Sequence, residues 1–213
     1  MSDLYICPSP EEFNYMLETA FLQTEDNSFN ESQMKIQYML NNKKLDLFRC
    51  CAFAIQQPNI TNEAIFNSLI ILKRALSPQK TVSLAFVRSN WFSEAYSDTR
   101  DLVKSSLVFC LPSGFLPIRN EAAHCISYLL IIEGEQWPDL IPLLIGKLNS
   151  KSISGDAISG IISTFREIFS TNFIFNSKTN IDNLQPNFQA LVNFILFNLQ
   201  YQGLTQEQYF SCA

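Results

Sequence analysis

The sequence predicts an all-α fold, a right-handed α-solenoid of about four to five helix pairs. Three observations carry this expectation. Apolar residues recur at three- and four-residue steps along most of the 213 residues, which is the spacing of amphipathic helices. Runs that alternate apolar and polar residues, as strands do, are hard to find, and glycine is scarce, with six in all. Proline and glycine breaks place the first helices of the pairs near residues 10, 44, 90, 138 and 186. The intervals are roughly 35 to 48 residues, the period of two-helix repeats. The array is divided as repeats of about 9–41, 42–78, 90–133, 137–170 and 184–213, the last incomplete. A compact helix bundle is the competing architecture.

The elements follow in order. In "PEEFNYMLETAF" the residues Phe13, Met16, Leu17, Ala20 and Phe21 form one stripe. Ser9 caps this helix, Pro10 suits its first position, and Glu11 and Glu12 favour its positive end. A second helix covers Glu31 to Leu40, and a third runs from about Leu45 to Gln57 and stops at Pro58. The next has Asn62 as its cap, a stripe of Ile65, Leu69, Leu72 and Leu76, and Pro78 as its stop. Residues 90–111 form a helix or helix pair around Trp91, broken by Pro112, Ser113 and Gly114. Pro117 opens "IRNEAAHCISYLLII", and Gly134 ends it.

The stretch "EGEQWPDLIPLL" reads as a tight corner between antiparallel helices. Trp137 packs back as a staple, Pro138 takes the first helical position, and Asp139 complements the dipole. Pro142 falls in or near the first turn, where it costs little. A helix over about Ser154 to Phe169 contains Gly155 and Gly160, which either allow close backbone packing or weaken the helix by about 1 kcal/mol each. "STNFIFNSKTNIDNLQ" reads as a loop, and Pro186 opens a final helix through about Gln200.

Composition narrows the function. Hydrophobic residues make up 47% and charged residues 16%, which favours a packed core over disorder. The net charge is −5 and no long Lys/Arg block occurs, so a nucleic-acid groove is not expected. The start, "MSDLYICPSPEEF", lacks the pattern of a signal peptide, and the longest apolar run, "ISYLLII", is too short to span a membrane. The six cysteines form no CxxC pair. They are expected to be buried, reduced thiols of a cytosolic or nuclear protein.

Signals of catalysis are weak. The one histidine, His124, sits in an apolar helix, and no HExxH motif, Walker loop, GxSxG or GxGxxG is present. Cys50 and Cys51 are adjacent on a helix and point about 100° apart, so they are poor joint metal ligands. Glu133 and Glu135, and likewise Asp98, Arg100 and Asp101, read as solvated corners and ends. Lys73 and Arg74 lie late in a helix and complement its dipole or meet a partner. No catalytic residue, metal or cofactor is expected. "NFQALVNFILFNLQ" sets Phe194, Phe197 and Tyr201 on one face, with core as the default role. The absence of a clear polar closing helix after "TQEQYFSCA" suggests a piece of a longer array.

Trp91 through Leu148 resembles a known family. "NWFSEAYSDTRDLVKSSLVFCL" followed by "AAHCISYLLIIEGEQWPDLIPLLIGKL" is similar to the amino-terminal HEAT repeats of importin-β, a karyopherin. The resemblance rests on Trp91, on Arg100, Val103 and Lys104, and on Ala122, Ala123, Cys125 and Glu133. Trp137 through Pro142 completes the series. Upstream, "SLIILKRAL" looks like the family's Leu-Lys-Asn helix, with Arg74 where Asn is usual. The match is good over 90–150, fair over 42–78 and weak elsewhere.

The resemblance implies a nuclear import receptor or its amino-terminal arm, acting between cytoplasm and nucleus at the nuclear pore. It implies that inner helices, here about 31–40, 62–76, 117–133 and 154–169, bind a Ran-type GTPase in its GTP form. On those helices the implied contacts are Glu63, Asn67, Lys73, Arg74, Asn120 and His124. It further implies an outer-helix groove for Phe-Gly nucleoporins, half supplied by Phe194 and Phe197. An importin-α adaptor or cargo would be held by later repeats, which this chain lacks. The rival readings are a HEAT-repeat interaction scaffold outside nuclear transport and, more distantly, an enzyme using His124 or a cysteine.

Overall fold

The computed structural model describes residues 6–20, 27–77, 91–133, 137–150, 152–175 and Asn193. Among these residues the regular structure is helical throughout. The chain divides into two compact units, Met1–Val108 and Phe109–Ala213.

In the first unit, α1 spans Pro10–Thr19. Its start is doubly bonded: the Glu12 amide donates to the Ser9 hydroxyl at 3.2 Å, and the Ser9 amide donates to the Glu12 carboxylate at 2.9 Å. This reciprocal pair satisfies two amides that a helix start otherwise leaves open. Phe13, Met16, Leu17 and Ala20 are buried, as their spacing predicts. Each large apolar side chain so buried contributes about 2 kcal/mol.

Helix α2 spans Asn27–Asn42 and is longer at both ends than the sequence pattern indicates. It buries Ile36, Met39 and Leu40. The Thr19 and Ser32 hydroxyls, 2.8 Å apart, tie α1 to α2 inside the packed layer. Helix α3, Lys44–Ile55, follows after the single non-helical residue Lys43 and buries Leu47, Phe48, Cys51, Ala52 and Ile55.

Helix α4 spans Asn62–Leu76. Its cap is Thr61, not Asn62: the Thr61 hydroxyl accepts from the Ala64 amide at 3.2 Å, which moves Asn62 into the first turn. Helix α1 packs on α2, α3 and α4, and α3 packs on both α2 and α4.

A short 3₁₀ turn, Glu94–Tyr96, leads into α5, Ser97–Cys110. Trp91 is fully buried and meets the Phe48 ring edge-on, with centroids 5.5 Å apart. Arg100, expected at a solvated end, instead donates to the carbonyls of Trp91 and Ser93. It thereby fixes the chain around the buried indole. Gln56 donates to the Ser105 and Ser106 hydroxyls at 3.0 Å, and the Ser106 hydroxyl lies 2.9 Å from the Ala52 carbonyl. These bonds join α3 to α5.

In the second unit, α6 spans Leu116–Glu133 with Pro117 at its second position, where no amide donor is needed. It buries Ile118, Ala122, Ala123, Cys125, Ile126 and Leu129. Glu133 is buried as well, so the solvated corner expected of it is corrected. Its expected companion Glu135 lies outside the described residues, as does Gly134.

Helix α7 spans Leu140–Leu148. Pro138 therefore precedes the helix rather than opening it, and Asp139 is the cap without a side-chain bond. Trp137 is buried ahead of this turn, and Leu140, Ile141, Leu144 and Leu148 form the buried stripe.

Helix α8 spans Gly155–Phe175. The first six residues of the expected loop, 170–175, thus continue the helix. Its main neighbour is α6, and it also meets α7. Gly160 decides the question its position raises. A β-carbon there would stand 3.0 Å from the Leu111 carbonyl carbon and 3.2 Å from Leu111 Cα, so the glycine permits a close approach of backbones. The final helix expected at 186–200 falls outside the described residues apart from Asn193.

Candidate functional site

On α4 Glu63, Asn67 and Arg74 share a face because four- and seven-residue steps return to the same side of a helix, and Lys73 stands at its edge, about 100° round from Arg74. Glu63 and Arg74 are exposed, while Asn67 and Lys73 are half-buried. Phe66 and Ile70 lie on the same side and are also half-buried. The opposite side, with Ala64, Ser68, Leu69, Ile71, Leu72, Ala75 and Leu76, is buried. The result is a mixed polar and apolar strip, acidic at its first turn and basic at its last. Each end charge complements the helix dipole. Asn67 already uses one amide proton, donated to the Leu17 carbonyl of α1 at 3.3 Å.

On α6, Asn120 and His124 are one turn apart and half-buried, flanked along that side by Glu121, Tyr128 and Ile131. His124 Nε2 lies 3.2 Å from the Glu167 carboxylate of α8. Arg166 approaches the other carboxylate oxygen of Glu167 through Nε and Nη2, at 3.2 and 3.1 Å. The hydrogen bond from His124, aided by the neighbouring charges of His124 and Arg166, holds the Glu167 carboxyl below its ordinary value of 4.5 despite partial burial.

A deeper pair supports this strip. The Arg119 side chain is 2% exposed and donates from Nη1 to Asp156 Oδ1 at 2.8 Å and to the Ser113 carbonyl at 2.6 Å. It braces the α5–α6 turn against the start of α8.

Glu167, Arg166 and the Arg119–Asp156 pair were missed from sequence. His124 and Glu167 come from different helices, and one sequence holds no signal that pairs them. Arg119 stands in a polar run at a helix start, where an exposed side chain is the usual expectation.

The six expected GTPase contacts divide between the two units, Glu63, Asn67, Lys73 and Arg74 in the first, Asn120 and His124 in the second. Phe194 and Phe197 lie outside the described residues.

The arrangement offers surface charge and hydrogen bonding rather than an activated nucleophile. Ser127, the hydroxyl nearest His124 in sequence, donates to the His124 backbone carbonyl at 2.8 Å. Among the described residues no cluster of three or more His, Cys, Asp or Glu side chains could hold a metal ion. No described helix is long and apolar enough to cross a membrane.

The cysteines differ from the expectation of uniform burial. Cys51, Cys110 and Cys125 are buried, Cys50 is half-buried and Cys7 is exposed. Burial pushes the Cys110 thiol up to about 12.

No family model matches the sequence, and no curated protein matches it. Solved structures do. Importin-β in an ammonium sulfate condition matches with a TM-score of 0.77 and 16% identity, over 94% of this chain and 22% of that one. The chain has the HEAT-repeat fold of importin-β.

Yeast importin-β (Kap95p) matches this HEAT-repeat chain with a TM-score of 0.70 and 16% identity, over 96% of this chain and 28% of that one. A third structure is of Kap95p whose binding induces the switch loops of RanGDP to adopt the GTP-bound conformation. It matches with a TM-score of 0.66 and 14% identity, over 96% of this chain and 27% of that one. The HEAT-repeat chain spans about a quarter of the length of the solved chains it matches. Its fold class is thus all-α, a right-handed α-solenoid of HEAT-type helix pairs. In that class each pair buries its apolar face against its neighbours, which leaves other helix faces for partners.

Proposed function

We propose that this chain is part of a nuclear transport receptor, and that its inner helices, α2, α4, α6 and α8, bind a Ran-type GTPase in its GTP form. The observation that supports this reading best is the open strip on α4. Its Glu63, Asn67 and Arg74, with Lys73 at the edge, run along one side of a helix whose other side is core. Such a strip, in a chain with the fold of Kap95p, offers a charged surface without catalytic chemistry. Asn120 and His124 on α6 would add a second set of contacts. The reading is non-catalytic and needs no cofactor.

The repeats of about 9–41, 42–78, 90–133, 137–170 and 184–213 are the units of this proposal. Phe194 and Phe197 are assigned to a groove for Phe-Gly nucleoporin segments, and cargo or an importin-α adaptor to other repeats of a longer receptor. This places the protein in the cytoplasm, in the nucleus and at the pore.

The test is calorimetric titration of the folded chain with a Ran-type GTPase loaded with a GTP analogue or with GDP. Tighter binding of the GTP form supports the reading. Equal or absent binding removes it in favour of a HEAT-repeat scaffold outside transport. Phe194→Ala with Phe197→Ala should weaken binding of a Phe-Gly peptide and leave the GTPase titration unchanged.

A further inference from the structure

Two thiols face each other at the beginning of the first unit. Cys7 lies in the non-helical segment Ile6–Ser9 that leads into α1, and it is exposed. Cys50 lies on α3 and is half-buried. Their sulfurs are 3.8 Å apart across 43 residues of sequence. The helix turn sends the adjacent Cys51 into the core, fully buried, and leaves Cys50 facing Cys7. We propose that Cys7 and Cys50 form a reversible disulfide that staples the chain ahead of α1 to α3, making this unit responsive to thiol redox state.

The geometry suits the reaction. A disulfide bond is about 2.05 Å long, so the sulfurs must close by less than 2 Å. Cys7 sits outside any helix and can supply that movement. With a small disulfide such as oxidised glutathione as oxidant, the steps balance. The Cys7 thiolate attacks one glutathione sulfur, the glutathione disulfide bond breaks, and one glutathione thiolate leaves with the electron pair. Cys50 then gives its proton to solvent and attacks the Cys7 sulfur, expelling the second glutathione thiolate. Two protein thiols are oxidised and one glutathione disulfide is reduced to two thiols.

Cys7 meets the oxidant first because it is exposed. Burial, together with the neighbouring Cys7, pushes the Cys50 thiol up to about 12. The second step therefore quickens as pH rises, and it is eased once Cys7 no longer carries a charge or shares a proton. Asp46, whose charge also raises Cys50, and Arg49, whose charge lowers it, are the other charged groups acting on this sulfur.

The test uses the full chain, reduced and then equilibrated in buffers of reduced and oxidised glutathione. Free thiols are trapped with iodoacetamide and the peptides mapped. The expected result is a Cys7–Cys50 linked peptide, an intact mass lower than that of the reduced chain by two hydrogens, and a yield independent of protein concentration. The thermal midpoint should rise on oxidation of the wild type and stay unchanged in Cys7→Ser. In Cys50→Ser, Cys7 should retain one glutathione. A wild-type chain that keeps glutathione on Cys7, links Cys7 to any other cysteine, or forms linked dimers overturns the proposal, as does an unchanged wild-type midpoint. If either serine variant fails to fold, the wild-type peptide map decides alone.

Discussion

Gly160 of α8 and the backbone of Leu111 are packed so closely that a β-carbon on the glycine would stand 3.0 Å from the Leu111 carbonyl carbon and closer still to its oxygen. The obstacle is backbone, which cannot swing aside as a side chain does. Alanine ordinarily stabilises a helix interior by about 1 kcal/mol over glycine. Here overpacking, at about 1–3 kcal/mol, should outweigh that gain. Gly160→Ala is expected to lower the thermal midpoint, and Gly160→Val to lower it further, as read by circular dichroism.

Arg119 is a charge held in the interior by two acceptors, the Asp156 carboxylate and the Ser113 carbonyl. Arg119→Met keeps most of the stem but leaves both acceptors without this donor. A hydrogen bond to a charged group is worth about 1.5–3 kcal/mol. The expected loss is about 2–3 kcal/mol, moderated because Asp156 is 45% exposed and can turn to water. Urea denaturation should show a lower midpoint with an unchanged slope.

Glu167 makes stability depend on acid pH. Its carboxyl is lowered in the folded chain, chiefly by the hydrogen bond from His124. The unfolded chain therefore binds more protons in the window between the folded value and the ordinary 4.5. The stabilisation is complete above about 4.5 and is lost as pH falls through the lowered folded value. Glu167→Gln removes it. Unfolding free energies measured from pH 6 downward should fall less steeply in the variant than in the wild type.

The strip on α4 can be probed without touching the core, since Glu63 and Arg74 are both exposed. Reversing either charge should leave the helical circular dichroism spectrum unchanged and lower the unfolding free energy by about 1 kcal/mol, because each end charge complements the helix dipole. If the strip binds the GTP-form GTPase, Arg74→Glu or Glu63→Lys should weaken the titration at least several-fold. A pair of well-folded variants with unaltered affinity would move the binding face elsewhere.

Much of the helical order was legible because it is local. Ser9, Pro10 and Glu12 write a helix start within four residues, and the buried set Phe13, Met16 and Leu17 follows from the turn. Thr61 and Asn62 are both good caps by residue type, and only the hydroxyl's reach to the Ala64 amide decides between them. The six extra residues of α8, to Phe175, lay hidden because Asn, Ser and Thr favour turns by composition yet continue a helix already begun. For the candidate site, the sequence placed the α4 strip by phase alone. It could not place Glu167 beside His124, since that meeting depends on how α6 and α8 cross.

The sequence by itself determined the helical class and most of the apolar stripes, because each depends on spacing within a few turns of one chain. Tertiary structure alone decided that Arg119 goes inside with Asp156, that Gly160 admits a backbone, and that Cys7 faces Cys50 while Cys51 does not. Those outcomes depend on distances between residues far apart in sequence, which only the packing of whole helices sets.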